Sequence, residues 1–183
     1  MILGKRIRLR APSTADVPAW VTWLNDPEVT AHLSMPALIG QEDQLKWLQR
    51  MTGDPDHIRL FTVEYLDQAE WVMVGHCNYQ DIDWRNRNAE VGFFLGNKKY
   101  WDRGIGTETA SLLLKFGFET MHLQRIWLRV YQTNKRAIHA YEKAGFVQEA
   151  VMRDARFKDG KYVSMVMMSI LQKEWREHNH PLS

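Results

Sequence analysis

The sequence predicts one α/β (α+β) domain with a single central sheet flanked by helices, and three observations support this fold class. Strand-like apolar runs are interspersed with runs of helical period throughout the 183 residues. A strand pattern at residues 88–96, a glycine loop, an apolar helix pattern and a strand pattern at residues 125–131 follow one another directly. No linker or repeat divides the chain, so we expect one domain over residues 1–174 and a polar tail over residues 175–183.

The first half of the chain predicts early helices followed by three strands. Residues 7–10 alternate and predict an edge-type strand, and Ser13 or Thr14 can cap a helix over residues 15–24. Pro27 suits the first position of a new helical turn. Next come an amphipathic helix and three strands, predicted at residues 41–52, 59–66, 71–79 and 88–96.

The second half predicts a crossover unit and a hairpin. A helix over residues 107–121 connects the strand at 88–96 with the strand at 125–131. Because such a connection within one sheet is right-handed, we expect these two strands to be parallel neighbours. Asn134 is expected to cap the next helix and Gly145 to end it. The remaining elements are two strands and a frayed tail, predicted at residues 146–157, 161–171 and 175–183.

Composition excludes several classes of function. Lys and Arg number 24 against 22 Asp and Glu, a net charge of +2 that is too balanced for a nucleic-acid-binding surface. The only cysteine, Cys77, lies in an apolar strand pattern and cannot form an internal disulfide. No run is long enough for a membrane span, and residues 1–12 lack a signal-peptide core. We therefore expect a cytoplasmic protein, and we interpret His178 and His180 as tail residues rather than metal ligands.

The glycine loop at residues 102–107 has the chemistry of a phosphate-binding site. Gly104 and Gly106 precede a predicted helix, and glycine lets backbone N–H groups approach an anion at a helix N-terminus. Thr109 stands where a dinucleotide fingerprint needs its third glycine, and the chain has no P-loop string. The loop suits a pyrophosphate, but taken alone it is equally consistent with a simple helix start.

Three further side chains are expected to meet this loop at the carboxyl ends of the parallel strands. Glu90 lies on the first strand, and Asn134 and Tyr141 belong to the helix after the second. Such a cleft suits acyl transfer to an amine, because a carboxylate can take the ammonium proton and a phenol can protonate a departing thiolate. The oxyanion of the tetrahedral intermediate would need a backbone N–H near Phe94.

Two motifs resemble the GNAT superfamily of acetyl-CoA-dependent N-acetyltransferases, and most of all its branch of ribosomal-protein N-terminal and spermidine acetyltransferases. The loop follows the family pattern Gln/Arg-x-x-Gly-x-Gly/Ala through Gly104 and Gly106, although Trp101 takes its first position. The later pattern Asn-x-x-Ala-x-x-x-Tyr-x-x-x-Gly-Phe is met by Asn134, Ala137, Tyr141, Gly145 and Phe146. Further similarity to this branch lies near the N-terminus, at Leu9, Arg10, Asp16 and residues 25–29.

The resemblance implies a mixed, mostly antiparallel sheet whose one parallel strand pair splays around acetyl-CoA, with no metal. It implies that Tyr141 is the general acid at sulfur, its alternative being a core aromatic, and that Glu90 is the general base. For Glu90 two alternatives stay open: ordered water is the base, or the carboxylate pairs with Arg85 or Arg87. The implied cofactor-binding residues are Phe93, Phe94 and Leu95 for the pantetheine arm, Arg103, Gly104, Ile105, Gly106 and Thr107 for the pyrophosphate, and Asn134, otherwise a plain helix cap, near the acetyl group.

The acceptor stays open between a peptide N-terminus and a small-molecule amine such as a polyamine, an amino sugar or an antibiotic. A polyamine would need carboxylates around its charges, and the candidates are Asp26, Glu28, Glu42, Asp43 and Glu64. Trp20, Trp23 and Trp47 on the early helices are either core residues or walls of the acceptor site. A non-catalytic acyl-CoA-binding sensor is the alternative to an enzyme, and a homodimer is an open alternative to a monomer.

Overall fold

The protein forms an eight-stranded sheet with helices on both faces, described by a computed structural model for residues 1–33 and 38–179. The strands are β1 (Ile2–Leu3), β2 (Ile7–Arg10), β3 (Arg59–Asp67), β4 (Glu70–Asp83), β5 (Asn88–Leu95), β6 (Arg125–Tyr131), β7 (Val147–Lys158) and β8 (Lys161–Leu171). The helices are α1 (Val17–Leu24), α2 (Pro27–Thr30), α3 (Gln41–Gly53), α4 (Ile105–Lys115), α5 (Lys135–Lys143) and α6 (Gln172–Asn179). The strand order in space is β1-β2-β3-β4-β5-β6-β8-β7.

One parallel strand pair lies inside an otherwise antiparallel sheet. β5 pairs with β6 only over Asn88, Ala89 and Glu90, and beyond Glu90 the two strands separate. We call the opening between them the split. The predicted fold class, with its splayed parallel pair, is confirmed. Residues 7–10, expected as an edge strand, lie second in the sheet because β1 pairs with them.

The two faces of the sheet are covered by different helices, because side chains alternate along each strand. Val91 and Phe93 of β5 join Leu113 of α4 in the main core, and we call this side the α4 face. Residues of the opposite parity point to the other side. There α1 and α3 pack on β4 through Trp20 and Trp47, and we call this side the α1 face.

A buried charge network fixes the start of α1 on the sheet. Ser13 and Asp16 form a capping box before the helix, as the cap prediction for Ser13 required. The Asp16 carboxylate accepts further hydrogen bonds from Thr62 at 2.7 Å and from Arg10 at 2.7 and 2.9 Å. Burial alone would raise the pKa of Asp16, but these hydrogen bonds hold it below its usual value. Arg10 also donates to Glu64, so the network ties α1 to β2 and β3.

The predicted helix over residues 107–121 is divided into two parts. α4 begins two residues earlier, at Ile105, and its last turn widens into a π-helical turn over Phe116–Thr120. The Tyr79 hydroxyl donates to the Leu113 carbonyl within the helix. Gly117 lies close to Tyr79 and Ile126, where a Cβ atom would stand only 2.6 Å from the Ile126 side chain. A side chain inserted into the hydrogen-bond ladder is a known cause of such a widened turn.

The predicted frayed tail was wrong for residues 175–179, which belong to α6. Trp175 is 7% exposed and packs against Phe118 with the ring centroids 5.5 Å apart. This aromatic side chain docks the short helix on the core together with Gln172, whose side-chain amide donates to the Phe118 carbonyl at 3.2 Å, although the sequence of α6 is otherwise polar. The side chain of His178 and all of His180 lie outside the described residues.

The described residues contain neither a membrane-spanning helix nor a cluster of metal ligands. None of the helices described in residues 1–33 and 38–179 is long and apolar enough to cross a membrane. Over the same ranges, no group of three or more His, Cys, Asp or Glu side chains could hold a metal ion.

Candidate active site

The glycine loop leaves the N-terminus of α4 open to an anion. Gly104 is the residue before the helix and has a φ of 77°, a conformation that favours glycine, and no side chain caps the first turn. The one acidic residue of that turn is Glu108. Its carboxylate accepts two hydrogen bonds from Arg6, one from the backbone N–H at 2.6 Å and one from the side-chain Nε at 3.1 Å. Since no capping oxygen from the described residues occupies the first-turn N–H groups, they can bind a phosphate.

Gly106 is where the loop, the end of β5 and α5 meet. A Cβ atom on Gly106 would stand 3.6 Å from Phe93, 3.7 Å from Ala140 and 3.8 Å from Leu95. The structure therefore brings the predicted pyrophosphate residues beside two of the predicted pantetheine residues. Trp101 closes the end of β5, because its indole N–H donates to the Leu95 carbonyl at 2.7 Å.

Two arginines lie against aromatic rings beside the loop. The Arg103 guanidinium lies 5.0 Å from the centre of the Tyr100 ring. The Arg136 guanidinium lies 4.1 Å from the Trp101 ring and 3.8 Å from the Asp102 carboxylate. These contacts hold positive charge next to the open helix N-terminus, which suits a polyanionic ligand.

The three residues predicted to bind the pantetheine arm do not all direct their backbone groups to the same side of β5. The Arg87 carbonyl accepts hydrogen bonds from backbone N–H groups on the side of β6. The Gly96 N–H, in contrast, donates a hydrogen bond to β4. Backbone groups alternate along a strand, so those of Phe93 and Leu95 face the split, where β6 has turned away. The Phe94 carbonyl faces β4 instead and lies so close to Gly75 that a Cβ atom there would stand 1.9 Å from it. A backbone donor for an oxyanion in the split is thus Phe93 rather than Phe94.

Tyr141 lies on the α4 face behind Phe93. Its ring centre is 5.1 Å from that of Phe93 and 5.8 Å from that of Phe146. Burial raises the pKa of its hydroxyl above the usual range, and no hydrogen bond from the described residues contributes to that shift. A phenol in this state keeps its proton at neutral pH and has it available for a base formed beside it.

Asn134 caps α5, since its side-chain oxygen accepts from the Ala137 amide at 3.2 Å. The interpretation of Asn134 as a helix cap is therefore correct for its side-chain oxygen. Its side-chain N–H groups can donate hydrogen bonds to a ligand.

Glu90 is held by a partner that the sequence did not indicate. Arg129, across the split on β6, donates from Nε at 2.8 Å and from Nη2 at 2.7 Å, and Gln80 adds a third hydrogen bond at 2.9 Å. The expected pairing with Arg85 or Arg87 was wrong. The Glu90 side chain is 5% exposed, and it points to the α1 face, opposite Tyr141. Both oxygens of this carboxylate are thus already bound by donors.

The five carboxylates considered for a polyamine site do not converge. Asp26 and Glu28 share the ammonium group of Lys98, at 2.7 and 2.8 Å. The other three have separate partners: Glu42 accepts from Lys46 at 2.8 Å, Asp43 from the Gly40 amide at 3.3 Å, and Glu64 from Arg8 and Arg10. Trp20 is fully buried, whereas Trp23 and Trp47 are half-buried.

The sequence did not indicate His76 as a candidate functional residue, although it lies beside these tryptophans. Its ring centre is 5.2 Å from those of Trp20 and Trp47 and 5.1 Å from that of Phe94. The available signal was a histidine in the middle of the apolar strand pattern at residues 71–79.

Comparison with known families decides what this arrangement is. A family model described as "Acetyltransferase (GNAT) domain" matches residues 6–147. The chain belongs to the GNAT acetyltransferase family. Membership confirms the resemblance of the loop and Asn134–Phe146 motifs, and it confirms the prediction of an N-acetyltransferase.

Individual relatives of this GNAT protein agree. The chain is 26% identical over 174 residues to a Bacillus licheniformis protein, "Uncharacterized N-acetyltransferase p20", covering 93% of this chain and 96% of that one. It is 30% identical over 124 residues to the spermidine N(1)-acetyltransferase of Escherichia coli K12, covering 63% and 66%. A crystal structure of spermidine N-acetyltransferase from Vibrio cholerae with CoA and spermine superposes with a TM-score of 0.83 at 24% identity, covering 93% and 98%, and it shows the shared fold.

Proposed function

We propose that this chain transfers the acetyl group of acetyl-CoA to the primary amine of a small molecule by direct attack in a ternary complex, in one catalytic domain that α6 extends to residue 179. The observation that carries the proposal is the uncapped start of α4 at Gly104, which lies beside the split between β5 and β6. A loop that can bind a pyrophosphate, next to a strand edge that can pair with an extended amide chain, is what coenzyme A requires.

The pyrophosphate and the pantetheine arm of acetyl-CoA each have groups in the chain to receive them. Backbone amides of residues 103–107 would hold the pyrophosphate, with Arg103 and Arg136 adding positive charge. The backbone groups of Phe93 and the N–H of Leu95, whose carbonyl already accepts from Trp101, would pair with the pantetheine arm. The Asn134 side-chain amide would donate to the arm near the acetyl group. The V. cholerae relative binds CoA, which supports this assignment.

The reaction needs two proton transfers. One removes a proton from the acceptor nitrogen, and the other delivers a proton to the departing sulfur. The acceptor nitrogen, once deprotonated, forms a C–N bond to the thioester carbon, and the C–S bond breaks. Tyr141 would donate its phenol proton to the departing sulfur, and the Phe93 N–H would stabilise the oxyanion. Because Arg129 and Gln80 occupy both oxygens of Glu90, we assign the ammonium proton to ordered water and give Glu90 a positioning role.

A small amine is the acceptor that the relatives support, since those from E. coli and V. cholerae act on spermidine by name. The carboxylates near α2 and α3 in this chain already have cationic or amide partners of their own. They are therefore poor recognition elements for an acceptor with several positive charges.

The test of the cofactor site separates binding from stability with two glycine variants. Gly106→Ala should raise stability by up to about 1 kcal/mol, because alanine favours a helix and its Cβ meets only ordinary contacts. The methyl group should nevertheless weaken acetyl-CoA binding, since it stands where the pyrophosphate approaches the backbone. Thermal unfolding with and without acetyl-CoA measures both effects.

Gly53→Ala at the end of α3 is the matched control, because a Cβ atom there meets nothing within 4 Å. It should leave the acetyl-CoA-induced rise in Tm unchanged. Cofactor at 100 times its Kd should stabilise the wild type by about 2.7 kcal/mol. Absence of any shift at millimolar acetyl-CoA would refute the proposal, and a full shift in Gly106→Ala would refute this placement of the pyrophosphate.

A further inference from the structure

Five rings form a continuous group on the α1 face, which we call the aromatic cluster: Trp20, Trp23, Trp47, His76 and Phe94. Neighbouring ring centres lie between 5.1 and 6.3 Å apart. Trp20 is fully buried, but Trp23, Trp47 and His76 are only partly covered. The cluster thus joins the core to the surface and is a candidate for contact with a ligand.

Two polar atoms in the cluster lack hydrogen-bond partners. Trp20 Nε1 and His76 Nδ1 are both inaccessible to solvent and unbonded within residues 1–33 and 38–179. When the proton is on Nε2, Nδ1 is an acceptor with no partner among these residues. Buried polar atoms are nearly always hydrogen-bonded in native proteins, so this pair suggests a ligand that completes the site.

The cluster lies where the second substrate must enter. Phe94 stands between Phe93 and Leu95, whose backbone groups face the split, and its cross-strand neighbour is His76. The opposite, α4 face is closed behind the split by Phe93, Tyr141 and the glycine loop. An amine that attacks a thioester held in the split therefore approaches from the α1 face.

The surroundings of His76 are uncharged. Burial lowers its pKa to about 4, and no charged residue contributes to the shift. The groups packed around it are Trp20 from α1, Trp47 from α3, Phe94 from β5 and Thr62 from β3, whose hydroxyl is already bonded to Asp16. The imidazole is neutral, and an apolar environment of this kind also favours the neutral form of a bound amine.

We propose that the aromatic cluster is the acceptor subsite, that it takes a primary monoamine with an apolar or aromatic body, and that the unpartnered nitrogen of His76 accepts a hydrogen bond from the reacting amine. The tryptophan rings cover the body of the acceptor, and their faces attract its cationic form on approach. This inference rests on the acetyl transfer proposed above and deepens it by naming the class of acceptor.

The test compares 2-phenylethylamine with spermidine as acceptors in an acetyl-CoA assay that detects released thiol. We expect kcat/KM for 2-phenylethylamine to be at least about tenfold the value for spermidine. His76→Phe, which fills the space but cannot accept a hydrogen bond, should lower kcat/KM for the monoamine about tenfold to a hundredfold. His76→Gln restores an acceptor and should recover part of that loss.

The acetyl-CoA-induced rise in Tm, measured for each variant, confirms folding and keeps the two proposals distinguishable. It should be unchanged in both His76 variants and in the surface control His57→Gln, which should also keep full activity. Equal rates for His76→Phe and the wild type would overturn the role of His76, and preference for spermidine would overturn the acceptor class. Acetyl-CoA binding would survive either result, whereas its loss in the wild type would refute acetyl transfer itself.

Discussion

Replacing Glu90 with glutamine tests whether this residue acts as a base or holds Arg129 in place. The substitution keeps the shape of the side chain but removes its charge and one acceptor oxygen. Three hydrogen bonds at 2.7 to 2.9 Å depend on that carboxylate. If Glu90 has a positioning role, the substitution should lower the free energy of unfolding by more than the free-energy equivalent of the loss in kcat.

The size of the defect follows from burial. Removing one partner of a fully buried ion pair costs about 3–5 kcal/mol, because the other charge stays buried and unpaired. The Arg129 side chain is 29% exposed, so water can compensate in part, and we expect about 2–3 kcal/mol. For a chain of this length, about 2–4 °C of Tm accompanies each kcal/mol, so Tm should fall by roughly 4–12 °C.

A double-mutant cycle with Arg129→Met supplies the control. Denaturant unfolding of the wild type, both single variants and the double variant should give a coupling energy of at least about 1 kcal/mol. In the same proteins, kcat of Glu90→Gln at saturating substrates should fall less than about tenfold. Loss of a general base usually lowers kcat by about 10²-fold or more. A hundredfold lower kcat with unchanged Tm would therefore refute our argument and restore Glu90 as the base.

Two further predictions concern Tyr141 and His76. Tyr141→Phe should lower kcat by about 10²–10⁴-fold, the usual contribution of a general acid, while its acetyl-CoA-induced Tm shift stays at the wild-type value; an unaltered kcat would exclude the acid role. Because the pKa of His76 is about 4 in the folded protein and about 6.5 in the unfolded chain, the unfolded state binds more protons between these values, so stability should decrease as pH falls from 6.5 to 4. Chemical denaturation across this range should show a smaller decrease for His76→Gln, and parallel curves would contradict the buried neutral state.

Much of the framework could be predicted from local sequence. The strands β2 to β8 agree with their predicted positions, apart from extensions such as β4, which continues to Asp83. The cap at Asn134 and the left-handed Gly145, with a φ of 100°, follow from residue chemistry alone. Local patterns also predicted the glycine loop and the parallel neighbours that flank it, because a crossover of fixed handedness leaves few arrangements.

Contacts between distant parts of the chain decided the rest. Periodicity could place Glu90 on a strand but could not choose Arg129, which is 39 residues away, over the nearer Arg85 and Arg87. The docking of α6 likewise depends on Trp175 meeting Phe118, which no local pattern in a polar segment reveals.

The sequence by itself therefore determined the elements, the family motifs and the glycine loop before α4, since these depend on backbone conformation and short-range spacing. Only the tertiary structure decided which backbone groups of β5 face the split, that the acidic residues near α2 and α3 already have partners, and that His76 Nδ1 lies among aromatic rings with no partner within the described residues. Those features depend on strand register and on packing between α1, α3 and the sheet, which residue spacing along the chain does not encode.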